Sequence, residues 1–305
     1  AARGTVVVDP DDAERNRILE RTAVLAQLAA DTAPGATADG VRVELLANIG
    51  TVADARRAAE TAVEGVGLFR TEVLFLDRAT RPSVAEQVET YATVLAAMGD
   101  RKVIVRTLDA GADKPLVFAN QPDEENPALG VRGYRLNRIL PDLVYEQIAA
   151  LAQASKQAGK EPWVMAPMVA TREEAAEFAG MCHDVGLRTV GVMVEIPAAA
   201  IRSLQILDEV DFVSLGTNDL AQYTMGTDRL RGELNDLLSM WQPAVLELVA
   251  KTAWSGLETR KPVGVCGESA SDPLMALVLT GFGCSSLSMA PKLVPMVRFV
   301  LRNHT

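Results

Sequence analysis

Histidine is almost absent from this 305-residue chain: there are two, His183 and His304, which leaves little room for chemistry carried by an imidazole inside the chain itself. Cysteine is scarce too. The three present, Cys182, Cys266 and Cys284, are an odd number without metal-type spacing, so neither a disulfide framework nor a zinc site is indicated, and a reducing, cytoplasmic setting fits. The longest nearly apolar stretch, Pro273 to Cys284, is too short to span a bilayer, and the N-terminus lacks a basic-then-apolar signal pattern. Basic charge is also in deficit. With 30 Lys and Arg against 40 Asp and Glu the formal net charge is -10, which excludes a broad polyanion-binding surface and hence a nucleic-acid partner. Aromatics make up 5%. What remains, 49% hydrophobic residues over this length, suffices for one large core or two small ones.

A short N-terminal strand ending at Pro10 is predicted, followed by a helix capped by Asp11 or Asp12, in which Ile18, Leu19, Leu25 and Leu28 recur at helical spacing. Residues 31–40 form a turn-rich linker. Beyond it, short apolar strands are expected at 43–50, 66–72, 102–109, 163–169, 190–195, 211–219, 263–268 and 285–291. They alternate with helices at 52–63, 84–98, 136–157, 172–185, 197–207, 241–256, 272–280 and 292–302. Eight strands alternating with eight helices predict a (β/α)8 TIM barrel preceded by a strand-helix linker. A doubly wound sheet alternates similarly, but no glycine-rich dinucleotide turn follows the first strand. Residues 1–40 are therefore assigned to the linker and 41–305 to the barrel. Two connections, Ala110–Gly130 and Leu220–Trp241, are long enough to suggest functional loops.

Chemistry-bearing residues cluster at the C-terminal ends of the predicted strands, where barrel enzymes build their sites. Arg70 and Glu72 end the second strand, Arg106 and Asp109 the third, Glu195 the fifth, Asn218 and Asp219 the sixth, Cys266 and Glu268 the seventh. Guanidinium forks suit phosphate and carboxylate, and an arginine in an apolar strand requires an anion. Arg229, in the second long connection, is placed to close over the same mouth. Glu195 and Asp219 are the carboxylate pair that Mg²⁺ typically uses. A thiol at Cys266 is placed to move a proton. Plainer readings exist for each: Arg70 pairing only with Glu72, Cys266 as apolar filler, Asn218 and Asp219 as helix caps. His183 reads as a helix-end or surface residue, and Cys182 and Cys284 as packing.

The segments GVGLFRTEVLFLDR, VIVRTLDAGADKPL, NPALGVRGYRL, VGVMVEIPAA, SLGTNDLAQYTMGTDR and GVCGESASDP resemble, in order and spacing, the C-terminal barrel of the Enzyme I family of the bacterial phosphoenolpyruvate:sugar phosphotransferase system. The resemblance runs from residue 41 to about residue 300. The VVVDPDD stretch is similar to the end of that family's swivelling phosphohistidine domain. The resemblance implies that Arg70, Arg106 and Arg229 bind the phosphate and carboxylate of phosphoenolpyruvate, that Asn218 helps hold it, and that Glu195 and Asp219 bind Mg²⁺. Cys266 is then the acid that protonates the enolate carbon to give pyruvate, and Arg132 a further arginine near the phosphate. It also implies a homodimer, and transfer of the phosphoryl group to a histidine on an N-terminal domain and onward to the carrier protein HPr. The motif around the phosphorylated histidine and the helical subdomain that docks HPr are absent, so the chain is expected to be the phosphoenolpyruvate-binding half of a larger enzyme. The barrel of a pyruvate phosphate dikinase or phosphoenolpyruvate synthase shares the GTNDL and CGE motifs, and a stand-alone phosphoenolpyruvate sensor is the reading outside catalysis.

Overall fold

Short runs rich in Val, Leu, Ile and Gly, each bounded by polar residues, become eight parallel strands: β1 (Glu44–Ile49), β2 (Gly65–Arg70), β3 (Lys102–Arg106), β4 (Trp163–Ala166), β5 (Val190–Val194), β6 (Phe212–Leu215), β7 (Val263–Val265) and β8 (Ser286–Met289). They pair in sequence order, and β8 closes back on β1, with Glu44 opposite Ser286 and Ala47 opposite Met289. The closed ring makes the chain a (β/α)8 barrel and excludes the open doubly wound sheet. The structure, a computed structural model, describes residues 8–76, 78–111, 116–119 and 124–305. The predicted N-terminal strand falls largely on residues 1–7 and so lies outside the described residues.

Helices α1 (Asp12–Ala29), α2 (Val52–Ala59), α3 (Val84–Ala97), α4 (Pro141–Ala158), α5 (Arg172–Asp184), α6 (Pro197–Ile201), α7 (Ser203–Glu209), α8 (Thr217–Met225), α9 (Pro243–Thr259), α10 (Pro273–Phe282) and α11 (Val294–Arg302) complete the described regular structure apart from short 3-10 turns. Asp11 caps α1 as predicted, accepting from the Glu14 amide at 2.8 Å. Thr51 and Ser83 start α2 and α3 with reciprocal capping boxes. Among the described residues no helix is long and apolar enough to cross a membrane.

Several predicted elements end or break elsewhere; the third, fourth and seventh strands stop early, at Arg106, Ala166 and Val265, so Asp109 and Cys266 lie just beyond their strands. The second strand stops at Arg70, and Thr71–Leu74 is a 3-10 turn. The sixth stops at Leu215, so Asn218 and Asp219 stand in the first turn of α8, which occupies the start of the connection expected to be a loop. The helix predicted over 136–157 is split, because Pro141 cannot continue the preceding turn of Gly133–Arg138 and instead opens α4. The helix predicted over 197–207 breaks at Arg202 into α6 and α7.

Two apolar layers hold the barrel together. The outer one lies between the strands and the helices and contains Cys182 and Cys284. The inner one fills the barrel with Leu68, Ile104, Met165, Met193, Phe212 and Cys266. At the N-terminal end Trp163 and Phe212 plug the interior with ring centroids 5.0 Å apart, and the Lys102 ammonium lies 4.2 Å from the Trp163 ring. The interior is a packed core, and a cavity opens at its C-terminal mouth.

Candidate active site at the mouth of the barrel

The strand ends converge on a cavity of about 340 Å³ lined by Arg70, Arg106, Glu195, Asn218, Asp219, Arg229 and Cys266. Seven of the eight residues singled out from the sequence thus meet in one space. The eighth, Arg132, does not line it. Arg132 is 1% exposed and lies behind Asp219, donating from Nε to Asp109 at 3.0 Å and from its Nη1 atom to Asp219 Oδ1 at 2.9 Å. A guanidinium so deeply buried survives only with carboxylate partners, and it takes them from the cavity wall in place of a ligand.

The arginines differ in how they are held. Arg106, 6% exposed, donates to Glu72 at 2.7 Å and pairs with Asp109 at 3.2 Å. Burial acts against its charge, but Asp109 and Glu72 more than offset this and raise its pKa. Its Nε and the Oε2 of Glu72 are buried without a hydrogen-bond partner among the described residues. Arg229 reaches down from the connection after α8 to Asp219 Oδ2 at 3.2 Å. Arg70 is exposed at the end of β2, and among the described residues its guanidinium makes neither an ion pair nor a hydrogen bond. The pairing of Arg70 with Glu72 that the sequence allows is therefore not what forms. The 3-10 turn after Arg70 carries Glu72 toward Arg106.

The acidic side is concentrated on Glu195, Asp219 and Asp109. Glu195, 1% exposed, accepts the Met168 amide at 2.8 Å on Oε1, while among the described residues Oε2 meets no donor. A Cβ at Gly216 would stand 2.7 Å from that Oε2, so only glycine lets the chain pass this close. Burial first, then the charges of Asp219 and Asp109, raises the Glu195 pKa well above the ordinary carboxylate value. A carboxylate that resists ionising until a cation compensates it is a suitable hard ligand. Among the described residues no three His, Cys, Asp or Glu side chains are grouped to cage a metal. Two carboxylates facing one cavity fit a small divalent ion that keeps waters or substrate oxygens in its other positions, as Mg²⁺ does.

Cys266, 6% exposed, faces the Leu215 carbonyl with Sγ at 3.7 Å. Burial pushes its pKa up to about 11, against the pull of Ser214 and Arg106, so it is a protonated thiol at neutral pH. Cys284 and Cys182 are raised by burial alone, with no charged neighbour. Only Cys266, of the three, combines a thiol with cationic surroundings. Asn218 and Asp219 do not cap α8, which starts after Gly216 without a side-chain cap; Asn218 Oδ1 instead accepts the Glu268 amide at 3.0 Å, tying α8 to the turn after β7. His183 is exposed in the last turn of α5, as expected.

Sequence reasoning passed over the support behind these groups. Gln147 of α4 accepts the Leu108 amide at 2.8 Å and donates to Thr71 Oγ1 at 2.9 Å, and Thr71 in turn donates to the Arg106 carbonyl at 2.8 Å. This buried chain fixes the β2 and β3 ends that carry Arg70, Glu72 and Arg106. A glutamine amid the apolar face of a helix was its only sequence signal. Asn48, in the apolar run of β1, was likewise passed over and lines the cavity.

Comparisons with known proteins point to one family. Residues 26–305 match the family described as PEP-utilising enzyme, PEP-binding domain. A phosphoenolpyruvate-protein phosphotransferase of Streptomyces coelicolor is 51% identical over 305 residues, covering 99% of this chain and 55% of that protein. A protein of the same name from Haloferax volcanii is 42% identical, covering 97% of this chain and 54% of its own length. The chain thus spans about half the length of these relatives. Among solved structures, an HpcH/Hpal aldolase/citrate lyase family protein from Burkholderia cenocepacia J2315 superposes with a TM-score of 0.51 at 16% identity, covering 92% of this chain and 95% of that one. At that identity the likeness bears on the barrel fold alone.

Proposed function

The chain belongs to the PEP-utilising enzyme family as its PEP-binding domain, and from that premise we propose that the barrel mouth binds phosphoenolpyruvate with Mg²⁺ for phosphoryl transfer to a protein histidine. Arg70, Arg106 and Arg229 take the phosphate and carboxylate, and Asn218 orients the substrate. Glu195 and Asp219 hold the metal, whose chemistry when bound is to neutralise charge on the phosphate and carboxylate oxygens. Arg132 is assigned a positioning role, holding Asp219 from behind. The observation that carries this reading is the convergence on one cavity of six residues at or just after five strand ends and of Arg229 from the connection after α8, with one guanidinium, that of Arg70, without a partner among the described residues.

In phosphoryl transfer the protein contributes positioning and electrostatic stabilisation. The P–O bond to enolpyruvate breaks as a P–N bond forms to a histidine on a swivelling domain, from which the group passes to HPr. Residues 1–40 are the link to that domain and residues 41–305 the barrel. The enolate then takes a proton at its methylene carbon from the Cys266 thiol: the S–H bond breaks, a C–H bond forms, and the oxygen-bearing carbon becomes the carbonyl of pyruvate. The thiolate left behind lies near Arg106 and Arg70, which favour its charge. The names of the relatives favour this reading over that of a dikinase barrel. A cytoplasmic homodimer completes the proposal.

The test is to mix this chain with phosphoenolpyruvate, Mg²⁺ and a separately prepared phosphohistidine domain of such an enzyme. Phosphorylation of the histidine with release of pyruvate is the expected result. Tight ligand binding without histidine phosphorylation would instead identify a sensor.

A further inference from the structure

Asn48 lines the cavity, yet none of the roles above uses it. It stands where the register of β1 against β2 shifts, between Ala47 and Asn48, an irregularity of the kind that re-aims a side chain. From there it reaches across β8 to β7. Its Nδ2 donates to the carbonyl oxygen of Cys266 at 3.2 Å and to that of Ser288 at 3.3 Å, and its Oδ1 accepts the Ser288 hydroxyl at 2.6 Å. The amide is therefore oriented on both sides. Ser288 is locked in its turn by close packing on β2: a Cβ at Gly67 would stand 2.5 Å from Ser288 Oγ.

The need for this clamp follows from where β7 stops. The strand has three residues, and its ladder to β8 ends with Val265 opposite Leu287, one residue before Cys266. The Cys266 carbonyl lies past the last paired residue of that ladder, and the side chain of Asn48 donates to it in place of a strand amide. On the other side the Cys266 amide donates to Leu215 at 3.1 Å, while the thiol has a weak contact with the same carbonyl at 3.7 Å and meets the Ser214 hydroxyl. The thiol is carried by the backbone of Cys266, and Asn48 holds one half of that backbone.

We propose that Asn48 is a positioning residue for the proton-transfer step, fixing the Cys266 backbone so that the thiol meets one face of the enolate carbon. The inference rests on the role given to Cys266 above. In reverse, the Cys266 thiolate takes a C3 proton from a bound 2-oxo acid. The C–H bond breaks, an S–H bond forms, the electron pair enters the enolate, and exchange of the thiol with solvent returns deuterium to C3.

The experiment uses the full chain with Mg²⁺ in D2O and follows exchange at C3 of pyruvate and of 2-oxobutyrate, whose two C3 hydrogens are distinguishable by face. The parent chain is expected to exchange one of the two. Asn48→Leu is expected to slow exchange roughly tenfold to hundredfold, as misplacement of a reacting group does, and to lose the preference between the two hydrogens, with phosphoenolpyruvate affinity little changed. Ser288→Ala, which frees the amide without removing it, is expected to act in the same direction more weakly. A merely structural asparagine would alter the thermal midpoint and leave the facial preference intact. If either variant exchanges one hydrogen with parent rate and selectivity while Cys266→Ala exchanges neither, the positioning role is overturned and that of Cys266 stands. Exchange that persists in Cys266→Ala, or is missing from the parent, overturns the role of Cys266 and this inference with it.

Discussion

At the floor of the barrel, Arg101 donates to the carbonyl oxygens of Ala59 at 2.8 Å and of Thr61 and Val63, both at 3.3 Å, where the chain leaves α2. At the mouth, Arg70 donates to nothing among the described residues. The pattern extends beyond these two. Lys160 caps the carbonyls of Gly99 and Arg101 after α3, Lys261 those of Leu207 and Val210 at the end of α7, and Arg298 those of Asp31 and Ala62. Cations at helix C-termini satisfy orphan carbonyls and complement the helix dipole, so the floor uses its charge for stability. At the mouth, Arg106, Arg132 and Arg229 are set against carboxylates, and Glu195 resists ionisation. The difference teaches how an acidic chain can offer an anion a site by local arrangement: cations are taken up by backbone carbonyls at one end and set among carboxylates at the other, where Arg70 alone of the four mouth arginines meets no partner among the described residues.

The largest effect that would sharpen this contrast is expected at Arg106. Arg106→Ala should weaken phosphoenolpyruvate binding by about 2–5 kcal/mol, and it should also lower the thermal midpoint because Glu72 and Asp109 lose their shared cation. Calorimetry and thermal unfolding read the two parts. Arg70→Ala should cost binding about 1.5–3 kcal/mol, the worth of a hydrogen bond to a charged group, with the thermal midpoint unmoved. A drop in stability instead would mean that Arg70 has a structural partner. Arg101→Ala should do the converse, losing about 1–3 kcal/mol of unfolding free energy in a denaturant titration while binding is retained, since several carbonyls lose their donor.

The smallest effect concerns Glu195, whose pKa is raised in the folded chain to about 8. The sign is that of a group protonated more readily when folded: its contribution to stability is full below the ordinary glutamate value and is lost as pH rises toward 8. Metal binding demands the carboxylate, so Mg²⁺ should release up to roughly one proton near pH 7 and progressively less as pH rises. Titrations in two buffers of different ionisation heat measure this, and Glu195→Gln should abolish the release.

The barrel was legible because eight apolar runs of strand length recur between helical patterns, and closure follows from their number. Strand ends were less legible. Thr71 and Glu72 carry no turn signal, yet the turn they form decides that Glu72 serves Arg106 and leaves Arg70 without a partner among the described residues. The start of α8 at Thr217 has no side-chain cap to announce it. Convergence of the site was legible for the same reason as the fold, since residues at strand ends share the mouth. Arg132 was not, because it lies at the end of a long connection whose path no spacing rule defines, and only the structure shows it buried behind Asp219. Asn48 and Gln147 escaped notice because their roles are bonds to backbone in distant elements.

The central claim, that the mouth is a metal-assisted anion site, is tested most directly by calorimetric titration of the chain with phosphoenolpyruvate in the presence and absence of Mg²⁺. The account predicts saturable binding at one site per chain that tightens when Mg²⁺ is added, with the Mg²⁺ dependence lost in Asp219→Ala. Absence of saturable binding under either condition, or binding indifferent to Mg²⁺, would contradict it.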